Sequence, residues 1–343
     1  MTPERFQAIT ANYAKLRIAV VGDFCLDRYL EIDPAKAETS IETGLPVHNV
    51  VNVRAQPGGA GTVLNNLSAL GIGEIYPVGF CGEDGEGFEL RRALTARPGV
   101  RTEHFISTPL RRTFTYCKPL VLAPGKPPLE LNRLDSKNWI PTPMFVVGEL
   151  MKAIEDLRFK VDAVIVLDQV DVPETGVVTS RLLPLLATFL AMFPNGAPGV
   201  PVIADSRRGL RGYPPVIFKM NAHELAALTG FDKPQSDGDI NRAAADLAEQ
   251  NRREVFVTMA ERGLLGAAPG GKVEHVPALP LRGPIDVVGA GDSVTANLCA
   301  ALAAGATVRE SLELAAIASS IVIHQLGTTG TASVAQIADL VGS

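Results

Sequence analysis

Three small residues, Gly289-Ala290-Gly291, stand directly ahead of Asp292 and Ser293, and the segment that follows has apolar positions at 294, 298, 301 and 302. That spacing predicts a helix whose N-terminus is the glycine turn. Such a terminus presents unpaired backbone N–H groups and the positive end of the helix dipole, which together attract an anion. An aspartate there has two uses: it can cap the helix, or it can take a proton from a group brought up to the anion. Two glycines flanking one alanine favour the second use, because close approach of a ligand needs small residues and a cap does not.

Other groups with chemical potential follow apolar runs. Asn221-Ala222-His223-Glu224 comes after an apolar run at 216–218 and has the spacing of a capping box, Asn at the cap and Glu three residues on. It is not a zinc motif, since Ala227 stands where HExxH needs its second histidine. Asp23 and Asp27 lie four residues apart after another apolar run, and carboxylates hold sugar hydroxyls well. Gly58-Gly59 opens a second helix, 60–67, and allows close backbone approach.

The elements that must position these residues are short β-branched runs, 17–23, 161–168, 200–205 and 254–258, alternating with stretches of helical period. Each run closes on a polar residue, and in open parallel sheets the ligand crevice lies beyond the carboxyl ends of the strands. The expected architecture is α/β: a doubly wound, mostly parallel sheet flanked by helices. Two stretches near 28–57 and 104–135 break the rhythm with short alternating runs and predict a small β-rich lid inserted into one domain spanning 1–343.

Composition narrows the function class. The chain has 343 residues, 46% hydrophobic and 20% charged, with net charge −5, so neither disorder nor a nucleic-acid footprint fits. No apolar run approaches a membrane span, and Glu4 and Arg5 stand where a secretory signal needs apolar residues. Cys25, Cys81, Cys117 and Cys299 show no metal-ligand spacing and read as thiols of a reducing compartment, so a cytoplasmic location is expected. GxGxxG, GxxxxGK[ST] and GxSxG are all lacking, which sets aside dehydrogenase, P-loop and hydrolase readings.

The GAGD run opening a late helix, together with Gly58-Gly59 opening an early one, resembles the ribokinase-like (PfkB) carbohydrate kinases. The resemblance implies a ribokinase-like fold and ATP-dependent phosphorylation of a sugar or sugar-phosphate hydroxyl. Asp292 is then the general base, and Gly289, Ala290 and Gly291 line the anion hole. Glu224 organises the water shell of Mg²⁺, while Asp205 and Asp286 are further candidate metal positions, Asp286 for a monovalent cation such as K⁺. Asn221, Thr258, Gly263, Ser319 and Gly327 fall on the ATP side. Asp23, Asp27, Gly58, Gly59, Thr62, Asn65, Arg133 and Asp168 fall on the sugar side. A homodimer through the lid is expected, because a small exposed sheet has edges and an apolar face to bury.

Within the family, the pattern at 22–29, Arg133-Leu134-Asp135 and Leu326-Gly327-Thr328 resemble the D-glycero-β-D-manno-heptose-7-phosphate kinase domain. That domain often carries a fused nucleotidyltransferase; this chain ends at Ser343, so a stand-alone kinase is expected. Departures cluster on the sugar side: Thr62 in place of Asn, and Gln169-Val170-Asp171 after Asp168. Ile41 to Gly44 also departs, as does Val288 before GAGD. On the ATP side, Ala260 stands where a glycine is frequent. Arg111, Arg112, Lys118, Arg133, Arg207 and Arg208 are candidate phosphate handles, with Arg207 and Arg208 preferred because they follow Asp205 at a strand end. A nucleoside kinase and a sugar- or nucleotide-binding protein without turnover are the competing readings.

Overall fold

The computed structural model describes residues 1–190, 199–230 and 236–342. The chain opens with helix α1 (Pro3–Thr10), then strands β1 (Arg17–Gly22) and β2 (Phe24–Ile32). A short ribbon, β3 (Glu38–Thr39) and β4 (Pro46–Val47), leads to β5 (Val50–Gly59), α2 (Ala60–Ala69), β6 (Glu74–Gly82), α3 (Gly85–Thr95) and β7 (Phe105–Thr108). Next come β8 (Phe114–Val121), β9 (Leu129–Glu130), β10 (Leu134–Ser136), α4 (Met144–Leu157) and β11 (Ala163–Asp168). After α5 (Leu183–Leu186) the chain runs through β12 (Val202–Ser206), β13 (Ile217–Asn221), α6 (Ala222–Thr229), α7 (Asp237–Asn251) and β14 (Val255–Thr258). A hairpin of β15 (Leu264–Ala268) and β16 (Lys272–Val276) precedes α8 (Ala290–Ala303), α9 (Val308–Val322) and α10 (Val334–Ala338).

The large sheet has the order β16-β15-β14-β13-β12-β11-β1-β6-β7, parallel from β14 to β7 and antiparallel in the β14-β15-β16 edge. Alternation along β1 shows why helices cover both faces. Ile18 and Val20 enter one apolar core with α2, α8 and α9, and Ala19 and Val21 enter a second with α4 and α7. Helix α8 is buried at every position from Ser293 to Ala301, so its small residues let it pack closely between α2 and α9.

A second sheet has the order β10-β8-β2-β5, with β9 paired to β8. Its strands come from 24–59 and 114–136, whereas Phe105–Thr108 pairs with β6 and belongs to the large sheet. Strand β2 leaves β1 after the single residue Asp23, so the carboxyl edge of the large sheet is also the root of the small one.

Candidate active site

A cleft of about 180 Å³ collects the chemistry-bearing residues; its lining includes Asp23, Asp27, Gly59, Thr62, Lys118, Arg133, Arg207, Val288, Asp292 and Thr329. At one end is the N-terminus of α8. Gly289 is the cap residue, at φ 83°, and provides the left-handed turn that a side chain would resist. Ala290 N–H donates to Val287 O at 3.2 Å and Ser293 N–H to Gly289 O at 2.9 Å, while the N–H groups of Gly291 and Asp292 donate to no described residue. The open donors at this turn are thus those of Gly289, Gly291 and Asp292, while the N–H of Ala290 is used inside the turn.

Asp292 is not the helix cap, and its carboxylate accepts no hydrogen bond from a described residue. Burial pushes its pKa up to about 7; the negative charges of Asp205 and Asp27 push the same way, and Lys219 and Arg207 oppose them. A carboxylate with unused lone pairs and a pKa near neutrality beside two free N–H groups suits a general base next to an anion.

Lys219 completes this end and escaped the sequence reading. It lies in β13, buried, with Nζ 2.7 Å from Asp205 Oδ2. A Cβ added at Gly291 would come within 3.2 Å of that Nζ, so the ammonium stands beside the glycine turn. Burial pulls the Lys219 pKa down, but Asp205, Asp292 and Glu224 outweigh it and the net shift is upward. The available signal was a lysine among apolar residues in a strand expected to be buried. Asp205 is accordingly corrected from a metal position to the partner of Lys219, and Thr295 Oγ1 also donates to it at 3.3 Å.

The capping box of Asn221 and Glu224 is formed: Asn221 Oδ1 accepts from Glu224 N–H at 2.9 Å and Glu224 Oε2 from Asn221 N–H at 2.7 Å. Glu224 Oε1 has no described partner. Among the described residues no three His, Cys, Asp or Glu side chains gather as a metal cage. A divalent ion such as Mg²⁺ needs only one or two protein carboxylates and completes its shell with water and phosphate oxygens. Asp286 is half-buried with Oδ1 accepting from Val288 N–H at 3.0 Å.

Asn221 and Thr258 are register partners at the carboxyl ends of β13 and β14, on the same sheet edge. Gly263 has φ 95°, and a Cβ there would strike the carbonyl of Val276, so packing against β16 already requires glycine. Ala260 adopts φ 53°, the left-handed conformation for which glycine is suited. Ser319 is half-buried on α9 and Gly327 is exposed in the turn after it; neither lines the cleft.

At the other end, several residues expected to meet the sugar are occupied by their own chain. Asp23, 3% exposed, accepts from Gln169 N–H (2.8 Å) and Val170 N–H (3.2 Å) through Oδ2 and from Val177 N–H (2.7 Å) through Oδ1. It shapes the 169–177 loop; burial and the charge of Asp168 push its pKa up to about 6 against those three donors. Asp168 is fully buried and does not line the cleft; its Oδ2 accepts from Ser206 (2.9 Å), Arg208 (2.7 Å) and Tyr213 (3.1 Å), while its Oδ1 has no described partner. Asn65 is buried and does not line the cleft; its Nδ2 donates to Pro57 O at 3.2 Å and braces the end of β5, while its Oδ1 has no described partner.

The glycine pair has an internal reason too. A Cβ at Gly58 would lie 2.5 Å from Asp27 Oδ2, and one at Gly59 would lie 2.5 Å from Asp23 O. The pair makes room for β2, and Gly59 also lines the cleft. Asp27 is left with a single weak contact, Cys25 Sγ at 3.9 Å from Oδ1, and faces the cleft. Its pKa is raised by burial, against Lys118 and Arg133. Of the six basic candidates only Lys118, Arg133 and Arg207 reach the cleft; Arg208 is taken by Asp168 and Arg111 by the Ile140 and Thr175 carbonyls. Gln56, also missed, donates to Thr329 Oγ1 at 2.6 Å and accepts from Thr328 Oγ1 at 3.1 Å, tying β5 to the turn beside Gly289.

A nine-stranded, mostly parallel sheet with a smaller sheet rising from its carboxyl edge defines a ribokinase-like fold. Phosphofructokinase-2 from Escherichia coli, solved with substrates and products, superposes with a TM-score of 0.69 at 19% identity, covering 94% of this chain and 97% of that one. Arabidopsis thaliana ribokinase complexed with ribose and ATP gives 0.66 at 20% identity, covering 96% and 99%. The sequence model for the pfkB family of carbohydrate kinases matches residues 15–335, and the chain belongs to that family. The bifunctional protein HldE of Azorhizobium caulinodans is 32% identical over 315 residues, covering 91% of this chain and 61% of the relative. That of Rhodospirillum rubrum is 32% identical over 323 residues, covering 93% and 61%. The chain thus spans about three fifths of the length of these relatives.

Proposed function

We propose that this chain is a Mg²⁺-requiring kinase that transfers the γ-phosphoryl group of ATP to a hydroxyl of a phosphorylated sugar, a heptose 7-phosphate being the first candidate. The observation that carries the reading is Asp292: an unsatisfied carboxylate with a pKa of about 7, beside the free N–H groups of Gly291 and itself, facing a cleft that also holds a free Asp27. The sugar hydroxyl gives its proton to Asp292 as its oxygen bonds to the γ-phosphorus, the bond to the β-phosphate oxygen breaks, and ADP departs. The two N–H groups and Lys219 stand where charge gathers on the transferring group. Mg²⁺ neutralises charge on the ATP phosphates, and Glu224, through water, is the residue placed to hold it.

Asp27 takes the sugar hydroxyls, and Lys118, Arg133 and Arg207 supply the cations for a phosphate on the sugar. Among the described residues no helix is long and apolar enough to cross a membrane, which agrees with a cytoplasmic enzyme. Exposed Val50, Val51, Val53, Leu129 and Leu134 on strands of the small sheet support a homodimer through it, checked by sedimentation at micromolar concentration.

The test is ADP release from Mg-ATP with D-glycero-D-manno-heptose 7-phosphate, sedoheptulose 7-phosphate, fructose phosphates, ribose and adenosine. Turnover is expected with a heptose phosphate and not with adenosine. Turnover confined to adenosine, or none with any sugar, overturns the reading.

A further inference from the structure

A second cleft, of about 630 Å³ and sharing no lining residue with the first, lies where α3 packs across β2 and β5. Its lining includes Arg28, Arg54, Arg92 and Arg97 with a single carboxylate, Glu89, in a chain whose net charge is −5. Glu89 Oε1 pairs with Arg28 at 3.1 Å while its Oε2 is buried without a described partner, and Glu86 lies on the other side of that guanidinium at 3.9 Å. Arg54 is held by Glu31 at 2.6 Å and stacks 4.7 Å over the Tyr29 ring, so its plane is fixed before any ligand arrives. Arg92 and Arg97 form no ion pair with a described residue. Arg28 Nε is buried and has no acceptor.

Four guanidinium groups around one concavity repel one another, and here their donors outnumber the acceptors the protein supplies. A multiply charged oxyanion reverses both costs, because each guanidinium fork matches two phosphate oxygens. The volume is that of a small-molecule site rather than of a single ion. We propose that this cleft binds a phosphate-bearing small molecule, separately from the catalytic cleft.

The experiment is calorimetric titration of the full chain, wild type and R92Q/R97Q, at low ionic strength with inorganic phosphate, pyrophosphate and a nonhydrolysable ATP analogue. Both substituted side chains are exposed, so the variant is expected to melt with the wild type. The wild type should bind pyrophosphate or the nucleotide with one equivalent more than the variant, or with a Kd at least tenfold tighter at the second site. Which of the two binds more tightly tells an inorganic from a nucleotide source. Equal stoichiometry and affinity in the two proteins overturns the proposal, as does extra binding that chloride at matched ionic strength removes entirely. The outcome does not depend on which sugar is phosphorylated or on turnover at all.

Discussion

The two ends of the candidate catalytic cleft treat their polar groups in different ways. At the α8 end Asp292 accepts nothing from a described residue, and the N–H groups of Gly291 and Asp292 are left open. At the small-sheet end Asp23 serves three backbone donors, Asp168 takes three side-chain donors on Oδ2 and Asn65 donates to Pro57, the Oδ1 atoms of Asp168 and Asn65 being buried without a described partner, while Asp27 faces the cleft with only the Cys25 thiol against it. Buried polar groups are ordinarily satisfied, and a carboxylate that is both unsatisfied and part of the cleft lining, as at Asp292 and Asp27, is open to a ligand. Residue type alone does not separate Asp23 from Asp27; hydrogen-bond accounting does.

The strongest test of that contrast is Asp292→Asn, for which ADP release should fall by about 10²–10⁴-fold. Because the folded protein raises this carboxyl from its ordinary 3.8 to about 7, ionising it costs stability as pH rises across that interval. The variant should therefore melt above the wild type at pH 8 and match it near pH 3. A parent-like rate would remove the base from the mechanism.

The pH profile gives the next largest effect. With the ionised form required, kcat/KM should climb about tenfold per pH unit below 7 and level above it. A profile flat from pH 5.5 to 8 would contradict an elevated pKa at Asp292.

The sugar end is sharpened by a pair of variants. Asp27→Asn should weaken sugar use by about 10–100-fold, the value of one or two hydrogen bonds to a charged acceptor, with a melting temperature at neutral pH no lower than the wild type's, because burial raises this carboxyl's pKa. Asp23→Ala should instead cost about 3 kcal/mol of stability, since it strands the N–H groups of Gln169, Val170 and Val177 in the interior. Denaturant melts and Michaelis profiles on both proteins decide it, and an exchange of the two phenotypes would invert the assignment.

The smallest expected effect is at Ala260. Glycine there relieves a left-handed alanine worth about 1–2 kcal/mol but adds unfolded-state freedom worth about 0.5–1 kcal/mol. Ala260→Gly should thus change stability by no more than about 1.5 kcal/mol, in the stabilising direction, with ATP-dependent turnover unchanged.

Much of the fold was legible because its signals are local. Apolar runs at 17–23, 161–168, 200–205 and 254–258 became β1, β11, β12 and β14, and the GAGD turn became the start of α8. The small sheet was misplaced by several residues at its edges because Phe105–Thr108 and Phe114–Val121 share the same alternation, and only pairing tells which sheet each joins. The glycine pair illustrates a different gap: its small size was plain, but the neighbour that demands it, Asp27 or a ligand, is set by how β5 crosses β2. Lys219 was passed over because its partner Asp205 lies on the adjacent strand, fourteen residues away.

By itself the sequence determined the parallel α/β arrangement, the glycine turn that opens α8 and the carboxylate beside it, since period and residue size act over a few neighbouring positions. The tertiary structure alone decided which carboxylates are free. That depends on which donors arrive from distant segments, and a buried acceptor takes whichever donor the packing brings within reach.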